Sequence, residues 1–254
     1  THLLMGVTIW NDFFWHSGLA GALWSMLSFV GTGALIFLFL KELGVGMLGR
    51  LVGVAIFVAN INVLYLQSTA MTELTLLGTM TAGAYCFLLW YKRENVIYLV
   101  QSAFWIMLST LVRYDGWFLL FLAAALTLVH VWRARGYRTA EGTVILFCTL
   151  AGLGVALWLL WNTLIFKDPL YFAFGPYSAH SQQTQLEHAG VLPTKWHWVP
   201  SMKVYFYAMA YNSGAFTMIL GFIGALALWL NKNVSRGVRV ASVLLIAPLL
   251  FNIL

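Results

Sequence analysis

Charge is scarce in this sequence. Only 9% of its 254 residues are Asp, Glu, Lys or Arg, against about a quarter in soluble domains. Such a chain cannot cover a water-facing surface with ions. Cysteine is scarcer still: Cys86 and Cys148 both sit in apolar runs, which excludes a disulfide framework and a CxxC metal site. His180, His188 and His197 lack the spacing of a zinc-ligand set. Residues 1–16 have no basic n-region, and Asp12 interrupts their apolar stretch, so they are not a signal peptide. Internal repeats, Pro-rich linkers and low-complexity tracts are missing too, and residues 1–254 read as one domain.

What fills the chain instead is apolar. A hydrophobic content of 61% and a mean hydropathy of +0.84 identify an integral membrane protein. The net charge of +6 points to no nucleic-acid partner, because membrane proteins place Lys and Arg in cytoplasmic loops for topological reasons. The chain begins at Thr1 and stops at Leu254 inside an apolar run; the expectation is a piece of a longer protein, truncated at both ends.

A spanning helix needs about 20 mostly apolar residues. Between charged punctuation the sequence predicts about eight spans: 17–40, 51–68, 73–91, 95–112, 117–133, 142–166, 206–230 and one starting near 240. The fold class is therefore all-α, a polytopic transmembrane helix bundle. Ten of the 14 basic residues (Lys41, Arg50, Lys92, Arg93, Arg133, Arg135, Arg138, Lys232, Arg236 and Arg239) fall in alternate loops. The positive-inside rule puts those loops in the cytoplasm. The opposite face receives Arg113, Lys167, Lys195 and Lys203, with the acids Asp12, Glu73, Asp115, Asp168 and Glu187. Residues 2–16 read as an interfacial helix on that outer face.

Three outer-face passages carry chemistry. Gln67-Ser68-Thr69-Ala70-Met71-Thr72-Glu73 opens the third span. A carboxylate there is either a capped, dipole-stabilised helix end or a ligand facing a polar cavity, for a divalent metal or a metal-held phosphate. Arg113-Tyr114-Asp115-Gly116-Trp117 closes the fourth span. Its aromatics suit an interfacial belt, and its guanidinium suits phosphate oxygens. Positions i and i+2 of a helix do not face each other, so Arg113 and Asp115 diverge unless the backbone breaks at Gly116. The third passage is the long loop 167–205, with Tyr171, Tyr177, His180 and Gln182 suited to stacking a sugar or lining a headgroup groove. His130, at the cytoplasmic end of span five, has no partner readable from the sequence.

Taken in order, STAMTE (Ser68 to Glu73), LVRYDGW (Leu111 to Trp117) and FKDPLYF with GPYSAHSQQ (Phe166 to Gln183) resemble the GT-C superfamily of polyprenyl-phosphate-sugar-dependent glycosyltransferases. The likeness is to family 39-like bacterial members related to protein O-mannosyltransferases and aminoarabinose transferases. THLLMG at the start resembles the segment that follows the family's first outer loop. The resemblance implies a multi-pass protein of the bacterial plasma membrane with an outward-facing site. It implies a polyprenyl-phosphate sugar donor, a lipid, glycan or protein acceptor, and inversion at the anomeric carbon. Glu73 maps onto the family's acid at a span mouth, beside a divalent metal. The family's principal acid lies in its first outer loop, upstream of this sequence. On this reading Glu73 and Asp115 are the candidate catalytic carboxylates, Glu73 is also the metal ligand, and Arg113, Tyr114, Tyr171, Tyr177, His180 and Gln182 bind substrate. Two other classes compete: a transporter or flippase of a lipid-linked or small polar substrate, and a non-catalytic membrane subunit. Transporters favour internal repeats, broken helices and midplane ionisable groups, whereas here the acids gather at one face.

Overall fold

The computed structural model describes residues 2–191, 197–231, 234 and 236–244. Lys195, Lys232 and the last apolar run beyond Leu244 lie outside the described residues. In chain order the helices are α1 (His2–Met5), α2 (Asp12–His16), α3 (Leu19–Glu42), α4 (Met47–Val58), α5 (Ile61–Gln67), α6 (Glu73–Arg93), α7 (Val96–Val112), α8 (Asp115–Arg135), α9 (Tyr137–Phe166), α10 (Tyr171–Phe174), α11 (Ala179–His188), α12 (Trp198–Ser213), α13 (Ala215–Leu230) and α14 (Arg236–Leu244). No strand occurs among the described residues. The protein is all-helical. Among the described residues four helices, α3, α6, α8 and α9, are long and apolar enough to cross a membrane, and the number reaches six if each of two bent pairs counts as one span. At 17 residues α7 is shorter.

Helix α6 is the central element. Two-thirds of its most apolar window (67%) is buried inside the protein, against 17–22% for α3, α8 and α9. It packs along α3 and α7, while α9 lies against both α7 and α8. Phe87, Leu88, Ala103, Ile106, Leu119, Ala123, Phe147 and Ala151 form the shared core. Small residues bring the backbones close, as they do where lipid removes the hydrophobic drive between helices. A Cβ on Gly154 would stand 2.6 Å from the Met107 carbonyl oxygen, so α9 rides directly on α7. Hydroxyls inside the bundle are satisfied locally: Ser102 Oγ donates to the Gly83 carbonyl at 2.8 Å and Thr127 Oγ1 to the Ala123 carbonyl at 2.8 Å. The outward faces of α3, α8 and α9 expose Leu27, Val30, Phe121, Ile145 and Leu153, which suits a hydrocarbon solvent.

Three expectations change in the structure. The run at 51–68 is not one straight helix: α4 and α5 meet at 65°. Asn60 causes the break, with an extended backbone and a side-chain oxygen that accepts from the Asn62 and Val63 amides. The run at 206–230 is likewise split, because α12 and α13 bend by 105° at Gly214, whose φ of +79° favours glycine. Residues 2–16 form two short helices instead of one, the second capped by Asn11. Hydropathy windows average over such breaks, since one polar or small residue among about 19 barely moves the mean.

Charges sort to the two ends of the bundle. At the basic end, Glu42 accepts from Arg93 at 2.9 Å and Lys92 at 3.2 Å, and Glu94 pairs with Arg135. Glu73, Arg113 and Asp115 occupy the other end. In a cysteine-free background, cysteines at the exposed positions Arg138 and Gln185 should label from opposite sides of the membrane. Gln185→Cys should react with an impermeant maleimide on intact cells, and Arg138→Cys only after permeabilisation. Labelling of both from outside would contradict this separation of the ends.

Candidate functional site

Three helix ends converge on one guanidinium. Glu73 is the first residue of α6, Arg113 follows the last residue of α7, and Asp115 opens α8. Antiparallel packing puts two helix N-termini and one C-terminus side by side, so each charge meets the dipole end that favours it. Arg113 Nη1 donates to Glu73 Oε1 at 2.9 Å, and Nε donates to Asp115 Oδ2 at 3.2 Å.

Arg113 and Asp115 reach each other because the helix breaks at Arg113 and not at Gly116. Arg113 is fully extended (φ −156°, ψ 161°), and Tyr114 turns the chain into α8 with the Gly116 amide donating to the Arg113 carbonyl at 3.1 Å. Gly116 has a different job. A Cβ there would lie 2.5 Å from the Ser109 carbonyl carbon, so only glycine lets α8 start against the last turn of α7. Trp117 Nε1 donates to the Thr110 carbonyl at 3.2 Å and closes one of the orphan acceptors of that turn.

The site is open on one side. Asp115 is 9% exposed, but Arg113 and Glu73 are 42% and 39% exposed. Arg113 spends Nε and Nη1 on the two carboxylates, while Glu73 Oε2 is buried without a partner. The expected hydroxyl caps around Glu73 do not form: Thr72 makes no side-chain cap bond. Ser68 and Thr69 instead donate to the Tyr65 and Leu66 carbonyls at the end of α5. Ser25 Oγ donates to the Met71 carbonyl at 3.1 Å and ties α3 to the turn before Glu73.

An aromatic wall borders the ion network. Tyr114 stacks on Phe172 (5.3 Å, 27°) and meets Trp117 edge-on at 5.5 Å. Phe172 also contacts Trp117 and Trp158. Burial raises the Tyr114 phenol above its ordinary range. Phe172 and Trp158 are the residues that sequence reasoning missed; Phe172 lies inside the FKDPLYF passage, and Trp158 sits in a run whose aromatics look uniform. Tyr205 of α12 comes into electrostatic range of Asp115, with no motif to announce it.

The remaining candidate residues are not drawn into the network. Tyr171 stacks flat on Phe166 (4.1 Å, 6°). Tyr177 is 85% exposed, His180 faces the Phe174 ring, and Gln182 Nε2 donates to the Tyr177 carbonyl at 3.2 Å. They sit in a locally held segment around α10 and α11, which meets the aromatic wall through Phe172 and in which Ser178 caps α11. Among the described residues no three His, Cys, Asp or Glu side chains come together to hold a metal ion.

Comparison with family models, with curated proteins and with solved structures finds no match.

The two halves of the network differ in burial, and so should their deletions. Arg113→Ala strands Asp115 as a buried, uncompensated charge, which costs about 3 kcal/mol. Glu73→Gln removes a solvent-screened pair worth under about 1 kcal/mol. Thermal unfolding of the two variants in detergent should place Arg113→Ala well below wild type and Glu73→Gln close to it. Equal, small shifts would contradict a buried role for Asp115.

Proposed function

We propose that this chain belongs to a membrane glycosyltransferase of the GT-C type, which moves a hexose or pentose from a polyprenyl-phosphate donor to an acceptor on the outer face. On this reading the bundle crosses the bacterial plasma membrane about eight times, with the Glu73 end outside. The observation that carries the proposal is the convergence of Glu73, Arg113 and Asp115 at three helix ends, with an aromatic wall beside them.

Each residue has a distinct part. Arg113 meets the phosphate oxygens of the donor, using the Nη2 edge that neither carboxylate occupies. As the glycosidic bond breaks, negative charge grows on those oxygens, and a preorganised guanidinium stabilises that charge more than the ground state. Asp115 holds Arg113 in place through Nε and is a positioning residue, because its oxygen is already committed to the guanidinium. Glu73 Oε2 is the carboxylate oxygen that would hold a divalent ion, together with phosphate oxygens of the donor; such an ion supplies further neutralisation of the leaving phosphate. Tyr114 and Phe172 offer flat surface for the donor's sugar or first isoprene units. On the resemblance, the acceptor hydroxyl loses its proton to the acid of the family's first outer loop, since a sugar hydroxyl is a poor nucleophile at neutral pH. Tyr171, Tyr177, His180 and Gln182 would contact the acceptor, from the segment beside the site.

A transporter or flippase is the second reading, and the two helix breaks favour it. Asn60 Nδ2 donates to the Asn212 carbonyl at 2.9 Å, and Asn62 Nδ2 to Asn212 Oδ1 at 2.6 Å, so the break in α4–α5 is joined to the residues just before the break in α12–α13. Broken helices line the binding sites of many transporters. The charged network lies at the ends of α6, α7 and α8 and shares no residue with those breaks, which weighs toward transfer chemistry.

Kinetics of the full-length protein separate the two. Glu73→Gln should lower sugar transfer by about a hundredfold or more at unchanged membrane abundance. Arg113→Lys keeps the charge but loses the fork, and should raise the donor KM more than the acceptor KM. Retained transfer in Glu73→Gln, or an unchanged donor KM in Arg113→Lys, would remove that residue from the site.

A further inference from the structure

At the end of the bundle opposite Glu73, a half-open cleft of about 510 Å³ lies between the last turns of α6, the end of α8 and the start of α14. Its walls include Tyr91, His130, Arg133, Arg236, Val129 and Val240. His130 lies against the Trp90 and Tyr91 rings, at 5.4 and 4.3 Å. Beyond it a smaller space is bordered by Glu94 and Arg135, which pair with each other.

The charges of this cleft are unbalanced. Nearby Lys92 and Arg93 are committed to Glu42, and Arg135 to Glu94. Arg133 and Arg236 line the cleft without a carboxylate partner among the described residues, and both are exposed. Val129 and Val240 supply an apolar side to the same space. Two guanidiniums over an apolar wall, at the rim of a membrane bundle, match a ligand with an anionic head and a hydrocarbon body. A phosphate diester presents planar oxygen pairs to arginine, and the arginine stems and valines can lie along the first methylenes of an acyl chain. The volume falls in the usual range for a ligand pocket, about 300–1,000 Å³.

We propose that this cleft binds the headgroup phosphate of an anionic phospholipid of the leaflet at the basic end, with Arg133 and Arg236 as its ligands. The proposal stands apart from the glycosyltransferase reading, and its test measures no transfer. It explains why α14 brings an arginine back to α8 after the long excursion through α12 and α13.

The test is native mass spectrometry of the full-length protein in mixed micelles, titrated with dioleoyl phosphatidylglycerol, dioleoyl phosphatidylcholine or inorganic phosphate. Phosphatidylglycerol should bind in preference to phosphatidylcholine. The double variant Arg133→Ala/Arg236→Ala should weaken it by roughly twenty-five-fold, taking about a fivefold loss per arginine. Arg138→Ala, at the same end but outside the cleft, should change it by less than about twofold. Val240→Trp keeps both charges and fills the apolar side, and should also displace the lipid. Equal retention of the two lipids, or undiminished phosphatidylglycerol binding in the double variant, would overturn the proposal. So would inorganic phosphate binding as tightly as the lipid, since the cleft would then be a free-phosphate site.

Discussion

The Arg113 guanidinium ties together the ends of α6, α7 and α8, and the bundle is arranged so that this contact is electrostatically natural. Two carboxylates stand at helix N-termini and one cation at a C-terminus, each where the backbone dipole supports it. The contact depends on backbone geometry as much as charge. Arg113 must leave the helix as an extended residue, Tyr114 must turn the chain, and Gly116 must allow α8 to begin against the Ser109 carbonyl. If Gly116 carried a side chain, α8 would shift away from α7, and with it Asp115. The buried Asp115 would then lose the partner that makes its burial tolerable.

Lipid as solvent explains the rest of the arrangement. An apolar surround offers no hydrophobic drive between helices, so α6, α8 and α9 gain cohesion against α7 from close approach at Gly83, Gly116 and Gly154 and from satisfied hydroxyls. Ionic contacts are confined to the ends, where water can reach them. The same division produces two polar rims of different character: one in which the carboxylates are bound to a single arginine, and one in which arginines outnumber their acidic partners.

Much of this was legible in the sequence, because eight acids in 254 residues leave few places for chemistry. The run ends at 40, 91, 133 and 166 fall within two residues of the helix ends Glu42, Arg93, Arg135 and Phe166. Glu73 and Asp115 were recognisable as residues at span mouths, but their meeting was not, since it rests on the φ and ψ of Arg113. The breaks at Asn60 and Gly214 were also hidden: single short residues barely alter an apolar average, although they redirect the chain by 65° and 105°. Tyr177, His180 and Gln182 drew notice by residue type, yet their contacts in the fold are local. His130 was the reverse case, a histidine with no partner in sequence and two aromatic neighbours in space.

The claim that matters most for function is that Arg113 is shared between the two carboxylates and a lipid-linked phosphate. An experimental structure of the full-length protein with a bound polyprenyl phosphate tests it directly. The phosphate should lie within hydrogen-bond distance of the Arg113 guanidinium, with the Asp115 contact retained and the first isoprene units against Tyr114 and Phe172. A phosphate seated at the breaks near Asn60 and Asn212, with Arg113 still enclosed by its two carboxylates, would contradict that claim and point to transport.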